Sequence, residues 1–341
     1  MIASRMQQAP VSRMVSAVVS AVAVFMTGHA LAQNPPPLPG NYPSRPIKIL
    51  VGGSPGGGTD IIARVLAQKL GEKWGRQVLV ENRVSGLGSI IAMEATAKAP
   101  PDGYTLHLAS SSAYMNAALV TKVPYDIRTA FAPIAQLTSQ PYVLVLNKDV
   151  PASSVRELIA YARTRTGGLS YGTSGAGTAS HLGMELLKSM AGVDMVQINY
   201  KGAGQAFVDL LGGQVQLMFS SAISATPMAK AGKVKAVGVG SLKRSRLLAD
   251  LPTISESGLP GFELTGWYGL IGTGGSPAPI VQALNRESSR IMNSPEMQAK
   301  LAADGAEAPE PRTPAQFGAA INEEIDKWAR VIKTANLKFD D

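Results

Sequence analysis

The sequence predicts an α/β protein of two lobes, on three observations. From Ile47 onward, short apolar runs alternate with segments of helical periodicity, the pattern of a parallel sheet covered by helices. Two glycine-rich turns of one kind, Ser54-Pro-Gly-Gly-Gly-Thr-Asp60 and Ser174-Gly-Ala-Gly-Thr-Ala-Ser-His181, each sit where an apolar strand runs into a helical pattern, about 120 residues apart. A second strand and helix series fills residues 142–262, and the chain then closes in helices, as expected when one lobe is inserted in the other.

Taken in order, the first 32 residues read as a cleaved targeting segment. Arg5 and Arg13 give a basic start, Val15 to Met26 a short apolar run, and Ala30-Leu31-Ala32 an A-x-A site, so cleavage is expected before Gln33. Residues 33–41, with four prolines, read as a disordered leader. Strands are expected at Ile47 to Val51, Val78 to Val80 and Tyr104 to Leu108, with helices after the first glycine turn and from Ser89 to Ala97. In the first helix Ile61, Ile62, Val65, Leu66 and Leu70 share a stripe, and Gly71 or Gly75 ends it.

Tyr142 to Leu146 reads as a strand, followed by a helix starting at Ser154 with a capping box to Glu157. Further strands are expected at Leu169 to Tyr171, Met195 to Ile198, Val215 to Phe219, Lys235 to Val239 and across Phe262 to Ile271. The closing helices run from Pro279, Pro295 and Pro314, each with proline at its first turn. The expected organisation is lobe 1 at residues 42–141 and 263–341, and lobe 2 at 142–262. Two chain crossings between them act as a hinge, an architecture that closes around ligands.

Composition removes several function classes. Loss of the first 32 residues lowers the formal charge from +8 to +6, because the segment holds two arginines and no acid. The remaining basic residues are scattered, Lys243-Arg244-Ser245-Arg246 being the densest group, and aromatics do not alternate with them, so nucleic acid is not an expected partner. Zero cysteines exclude disulfides, thiolate metal sites and a lipid-anchored N-terminal cysteine. No His, Asp and Glu group has metal-ligand spacing, and no cofactor is expected.

The chemistry concentrates in the turns. Gly56 to Gly58 permit close ligand approach, and backbone N–H groups with the positive end of a helix favour a carboxylate without lysine or arginine. Asp60 reads as a cap on the exposed amides of that turn. In the second turn the Ser174 and Thr178 hydroxyls stand beside the Gly175 and Gly177 amides, and His181 reads as a structural hydrogen-bonder. Asn199-Tyr-Lys-Gly-Ala-Gly204 follows a strand, so Tyr200, Lys201 and Gly202 are candidates for the same cleft, with Lys201 as readily in solvent.

Enzyme readings fare worse, and no catalytic residue is expected. Gly172-Thr-Ser-Gly-Ala176 is close to a nucleophile elbow but ends in alanine, which leaves a secreted serine hydrolase using Ser174 as the alternative. A dinucleotide fold is disfavoured because Ile61 stands where the third glycine of G-x-G-x-x-G would fall.

Pro55-Gly-Gly-Gly-Thr-Asp60, Val80-Glu-Asn82, Pro101-Asp-Gly-Tyr-Thr105, Gly177-Thr-Ala-Ser-His-Leu182, Tyr200-Lys-Gly202 and Asp209-Leu-Leu-Gly-Gly-Gln214 occur in this order. Together the chain resembles the substrate-binding proteins of the tripartite tricarboxylate transporters, or Bug receptors, from Tyr42 to about Leu337. The resemblance implies a type II periplasmic-binding-protein fold, two α/β lobes that close like a Venus flytrap on a small organic acid, a dicarboxylate, tricarboxylate or aromatic acid. It implies a periplasmic monomer serving integral-membrane transporter subunits or a sensor kinase. Carried residue by residue, it points to Ser54, Gly57 and Gly58, then Ser174, Gly175, Gly177 and Thr178; Ser110 and Ser111 join them by position at a strand end. This chain departs from the family pattern at Gly52-Gly53-Ser54, where an aromatic wall is usual, and at Ser220 and Ser221, where an acid and asparagine are usual. The missing acid points away from amino-acid ligands.

Overall fold

Ile47–Val51 forms the central strand β1 of the first half, four of its five residues buried, in a computed structural model that describes residues 41–85, 89–116, 123–165 and 168–335. It lies parallel to β2 (Val78–Asn82) and β3 (Thr105–Ser110) on either side. Between β1 and β2 runs α1 (Gly58–Trp74), which buries Ile62, Leu66 and Leu70 and stops at Gly75, left-handed at φ 61° with its amide on the Gly71 carbonyl. A left-handed residue costs glycine little, which is why the helix runs through Gly71 and ends four residues later. The targeting segment, and the proposed leader apart from its last residue Asn41, lie outside the described residues.

The largest departure from expectation is β4. The sequence marks Tyr142 to Leu146, whereas the strand runs Phe131–Asn147, 17 residues. Pro133, Pro141 and the polar Gln136, Thr138 and Gln140 hide its first part. Register shifts between Pro133 and Ala135 and between Gln136 and Thr138 accommodate the irregularity. Residues up to Pro141 pair antiparallel with β9 (Thr265–Thr273). From Tyr142 the same strand runs between β7 (Leu217–Ser221) and β8 (Val234–Val239), antiparallel to both.

Beyond β7 lie β5 (Leu169–Thr173) and β6 (Met195–Asn199), parallel to one another, with β5 also parallel to β7. The sheet thus has two halves of like order, β2-β1-β3-β9-β4 and β6-β5-β7-β4-β8. It is mixed rather than wholly parallel, because the long strands β4 and β9 run against their neighbours.

Helices α2 (Ile90–Ala97) and α3 (Ser111–Asn116) belong to the first half, and α4 (Val155–Thr164), α5 (Ala179–Ala191), α6 (Ala203–Leu211) and α7 (Ala222–Lys230) to the second. Ser154 caps α4 by accepting from the Glu157 amide at 3.2 Å, but the return bond of the expected box falls one residue early, Glu157 accepting from Ser153 N at 2.7 Å. The closing helices are α8 (Ala278–Met292), α9 (Pro295–Ala303) and α10 (Pro314–Thr334). One core packs Ile49, Leu66, Leu108 and Leu284, another Leu144, Tyr171, Phe219 and Phe262. Helix α10 serves both halves: Phe317 and Ile321 pack with Trp267, while Trp328 joins the core around Phe219.

Candidate ligand-binding site

The topology aims the helix starts at one place. In an α/β sheet the loops leaving the carboxyl ends of strands define a crevice. Here those loops come from both halves and enclose a cavity of about 70 Å³. Five helices of eight residues or more begin on its wall: α1 at Gly57 and Gly58, α2 at Ser89, α5 at Thr178 and Ser180, α6 at Gly202 and Ala203, and α7 at Ser220 and Ser221. The first amides of each helix lack intrahelical acceptors and carry the positive end of its dipole.

Among the lining residues there is no lysine, arginine, histidine, aspartate or glutamate. The wall is built of glycines, serines, threonines and two tyrosines, with Ala113, Ala203 and Phe219 as its aliphatic and phenyl surface. Burial pushes Tyr268 up to about 12 and raises Tyr142 well above 10, so both phenols stay protonated near neutrality. The cavity is therefore uncharged in its side chains and electropositive in its backbone, suited to an anion.

Gly57, Gly58, Ser110, Ser174, Thr178 and Gly202 line this cavity. Ser54, Asp60, Ser111, Gly175, Gly177 and Tyr200 are not among its lining residues. The Asp60 carboxylate accepts from Gly56 N, Arg64 Nε and Asn82 Nδ2, each at 3.0 Å, and Asn82 Nδ2 also reaches the Gly53 carbonyl at 3.0 Å. That network fixes the first turn. Burial raises the Asp60 pKa, but the hydrogen bonds from Arg64, Gly56 and Asn82 outweigh it and hold the group below its ordinary value.

In the second turn Gly177 N donates to His181 Nδ1 at 3.0 Å, so the histidine orders the loop. Thr178 Oγ1 donates to the Gly175 carbonyl at 2.6 Å, and the hydroxyls of Ser174, Thr178 and Ser180 lie within 3.1 Å of one another. Tyr200 donates to Asp209 at 2.6 Å, and Ser111 Oγ accepts from Trp267 N at 3.3 Å.

Several lining residues were not marked from sequence: Ser89, Ser112, Ser180, Tyr142 and Tyr268. Ser220 was noted as a departure from the family pattern, and its Oγ is buried without a hydrogen-bond partner among the described residues. The two halves also touch across the cavity. Ser112 Oγ accepts from Ala179 N at 2.7 Å, Tyr268 donates to Ser221 Oγ at 2.7 Å, and Ser54 Oγ accepts from Gly204 N at 3.1 Å. No group of metal-binding side chains occurs among the described residues, and none of their helices is long and apolar enough to cross a membrane.

Residues 62–337 match the family model described as the tripartite tricarboxylate transporter family receptor. The chain belongs to that receptor family. BugT of Bordetella pertussis is 35% identical over 300 residues, which cover 87% of this chain and 91% of BugT. An adipate-bound R. palustris protein superposes with a TM-score of 0.83 at 35% identity, covering 87% of this chain and 99% of that one. MatC from Rhodopseudomonas palustris, solved with bound malate, gives 0.81 at 32% identity over 85% of this chain and all of MatC. The type II periplasmic-binding-protein fold, with two α/β lobes joined through β4 and β9, is thus the fold of this receptor.

Proposed function

We propose that this receptor works in the periplasm, closing two lobes on a small organic carboxylate and passing it to integral-membrane transporter subunits or to a sensor. The observation that carries the reading is a cavity without a charged side chain onto which five helix N-termini converge. Adipate and malate in two relatives support the choice of a carboxylate as the anion.

The ligand carboxylate lies against the first amides of α1 at Gly58 and Thr59, with Ser174, Thr178 and the start of α6 opposite. Charge-assisted hydrogen bonds contribute about 1.5 to 3 kcal/mol each, so four or five donors supply the ~8 kcal/mol of a micromolar complex once association costs are met. Ser54, Asp60, Gly175 and Gly177 act indirectly, by holding the two turns; Ser111 accepts from the Trp267 amide and Tyr200 ties its loop to Asp209 on α6. The lobes are residues 42–141 with 263–341, and 142–262, hinged where β4 exchanges partners at Tyr142. A targeting segment ending at Ala32 delivers the chain to the periplasm as a monomer.

The receptor does no chemistry on its ligand. Ser174 Oγ is engaged with the hydroxyls of Thr178 and Ser180, and His181 Nδ1 is taken by the Gly177 amide, so the hydrolase alternative finds no base poised on the serine. Calorimetry of ligand-stripped protein against dicarboxylates, tricarboxylates and aromatic acids tests the reading. Saturable binding of at least one supports it, and silence across the panel contradicts it.

A further inference from the structure

We propose that Ser220 is a subsite for an alcohol oxygen of the ligand, making this a receptor for short hydroxy-acids rather than for acids with hydrocarbon or aromatic bodies. The proposal rests on the carboxylate reading of the cleft. Ser220, the last residue but one of β7, lines the cavity at 2% exposure, and its Oγ has no partner among the described residues. A buried hydroxyl left unpaired is costly, and one that lines a cavity can find its partner in what fills it.

Its neighbours are differently placed. Ser221 Oγ already accepts from Tyr268, and the hydroxyls of Ser174, Thr178 and Ser180 satisfy one another. Of the second-half hydroxyls that line the cavity, Ser220 is thus the one with no partner among the described residues, leaving a donor and an acceptor, the pair of functions that a ligand alcohol matches.

The remaining wall agrees with that chemistry. Ser89 and Ser110 on the opposite half present further oxygens, and a chain of methylenes laid among them would leave those groups without water. No acid on the wall pairs a ligand ammonium, so a hydroxyl is a better fit than an amine.

Titration calorimetry on ligand-stripped protein, using malate and succinate as a pair differing by one hydroxyl, with adipate and benzoate alongside, tests this. Wild type is expected to bind malate at least about tenfold more tightly than succinate, adipate or benzoate. In Ser220→Ala the malate preference should shrink to about twofold while succinate binding stays near its wild-type value and the melting temperature of the ligand-free protein is retained or rises. Equal or tighter binding of succinate, adipate or benzoate by wild type would overturn the subsite and leave the carboxylate reading standing, as would a preference untouched by Ser220→Ala. Binding of none of the four, with a wider acid panel equally silent, would overturn both.

Discussion

Ser54 Oγ accepts a hydrogen bond from the Gly204 amide at 3.1 Å, across the cleft and 150 residues away along the chain. A first-half hydroxyl thereby caps the second residue of α6, which would otherwise lack an acceptor. The fit depends on glycine: a Cβ on Gly204 would run into the Pro55 carbonyl, and one on Gly202 into the Ser54 backbone. Ser112 caps α5 in the same manner through Ala179 N. Hydroxyls of the first half thus cap two helix starts of the second.

Gly204→Ala separates closure from folding. Alanine favours the helix by about 1 kcal/mol over glycine, so unliganded stability should hold or rise. Ligand affinity should fall at least about tenfold, because a displaced backbone keeps the lobes apart. Small-angle scattering should show no ligand-driven compaction, and compaction equal to wild type would refute the role given to this contact.

At Gly58 the obstacle is a side chain. An added Cβ would meet the Tyr268 hydroxyl and stand 2.8 Å from Ser221 Oγ. Gly58→Ala should weaken binding while preserving the circular-dichroism spectrum. Gly58→Asp, which also brings a negative charge to the anion site, should abolish it. Calorimetry of the two variants with one acid checks the order.

Much of this was legible in the sequence where local chemistry is strong. β1 stands out between proline and glycine, α1 ends at a glycine, and both glycine turns contribute to the cavity wall as helix starts. The first part of β4 was hidden by Pro133 and Pro141, and α7 by its small residues and internal Pro227, which give no amphipathic stripe. Ser89, Ser112, Ser180, Tyr142 and Tyr268 meet only because strand order brings distant chain ends together, information that no local window contains. The analogy of the two turns proved deeper than their composition, since β1 and β5 hold the same place in halves of like order. Asn82 and Asn199 even end the equivalent strands β2 and β6, each bonded to the neighbouring turn or strand.

The Asp60 network gives a pH dependence of known sign. A carboxylate held below its ordinary pKa contributes stability that is present above its unfolded value, near 3.8, and lost as pH falls through the lower folded value. Asp60→Asn should thus destabilise at pH 7 and approach wild type at a pH well below 3.8. Melting curves at both pH values check this. A constant difference between the two proteins would contradict it.

Glu324 has the opposite sign. Burial raises its pKa, outweighing Lys327 and the Trp328 hydrogen bond at 2.9 Å, so its ionised form opposes folding as pH rises past 4.5. Glu324→Gln keeps an acceptor for Trp328 and removes the charge. It should raise the melting temperature at pH 7 and leave it unchanged at about pH 3.

The central claim is that backbone amides and hydroxyls at converging helix starts, not basic side chains, hold a carboxylate. A crystal structure of the protein with the acid that co-purifies with it tests this most directly. The account predicts carboxylate oxygens within hydrogen-bond distance of the Gly58 and Thr59 amides and of Ser174 or Thr178. A ligand seated elsewhere, or gripped by arginine or lysine side chains, would contradict it.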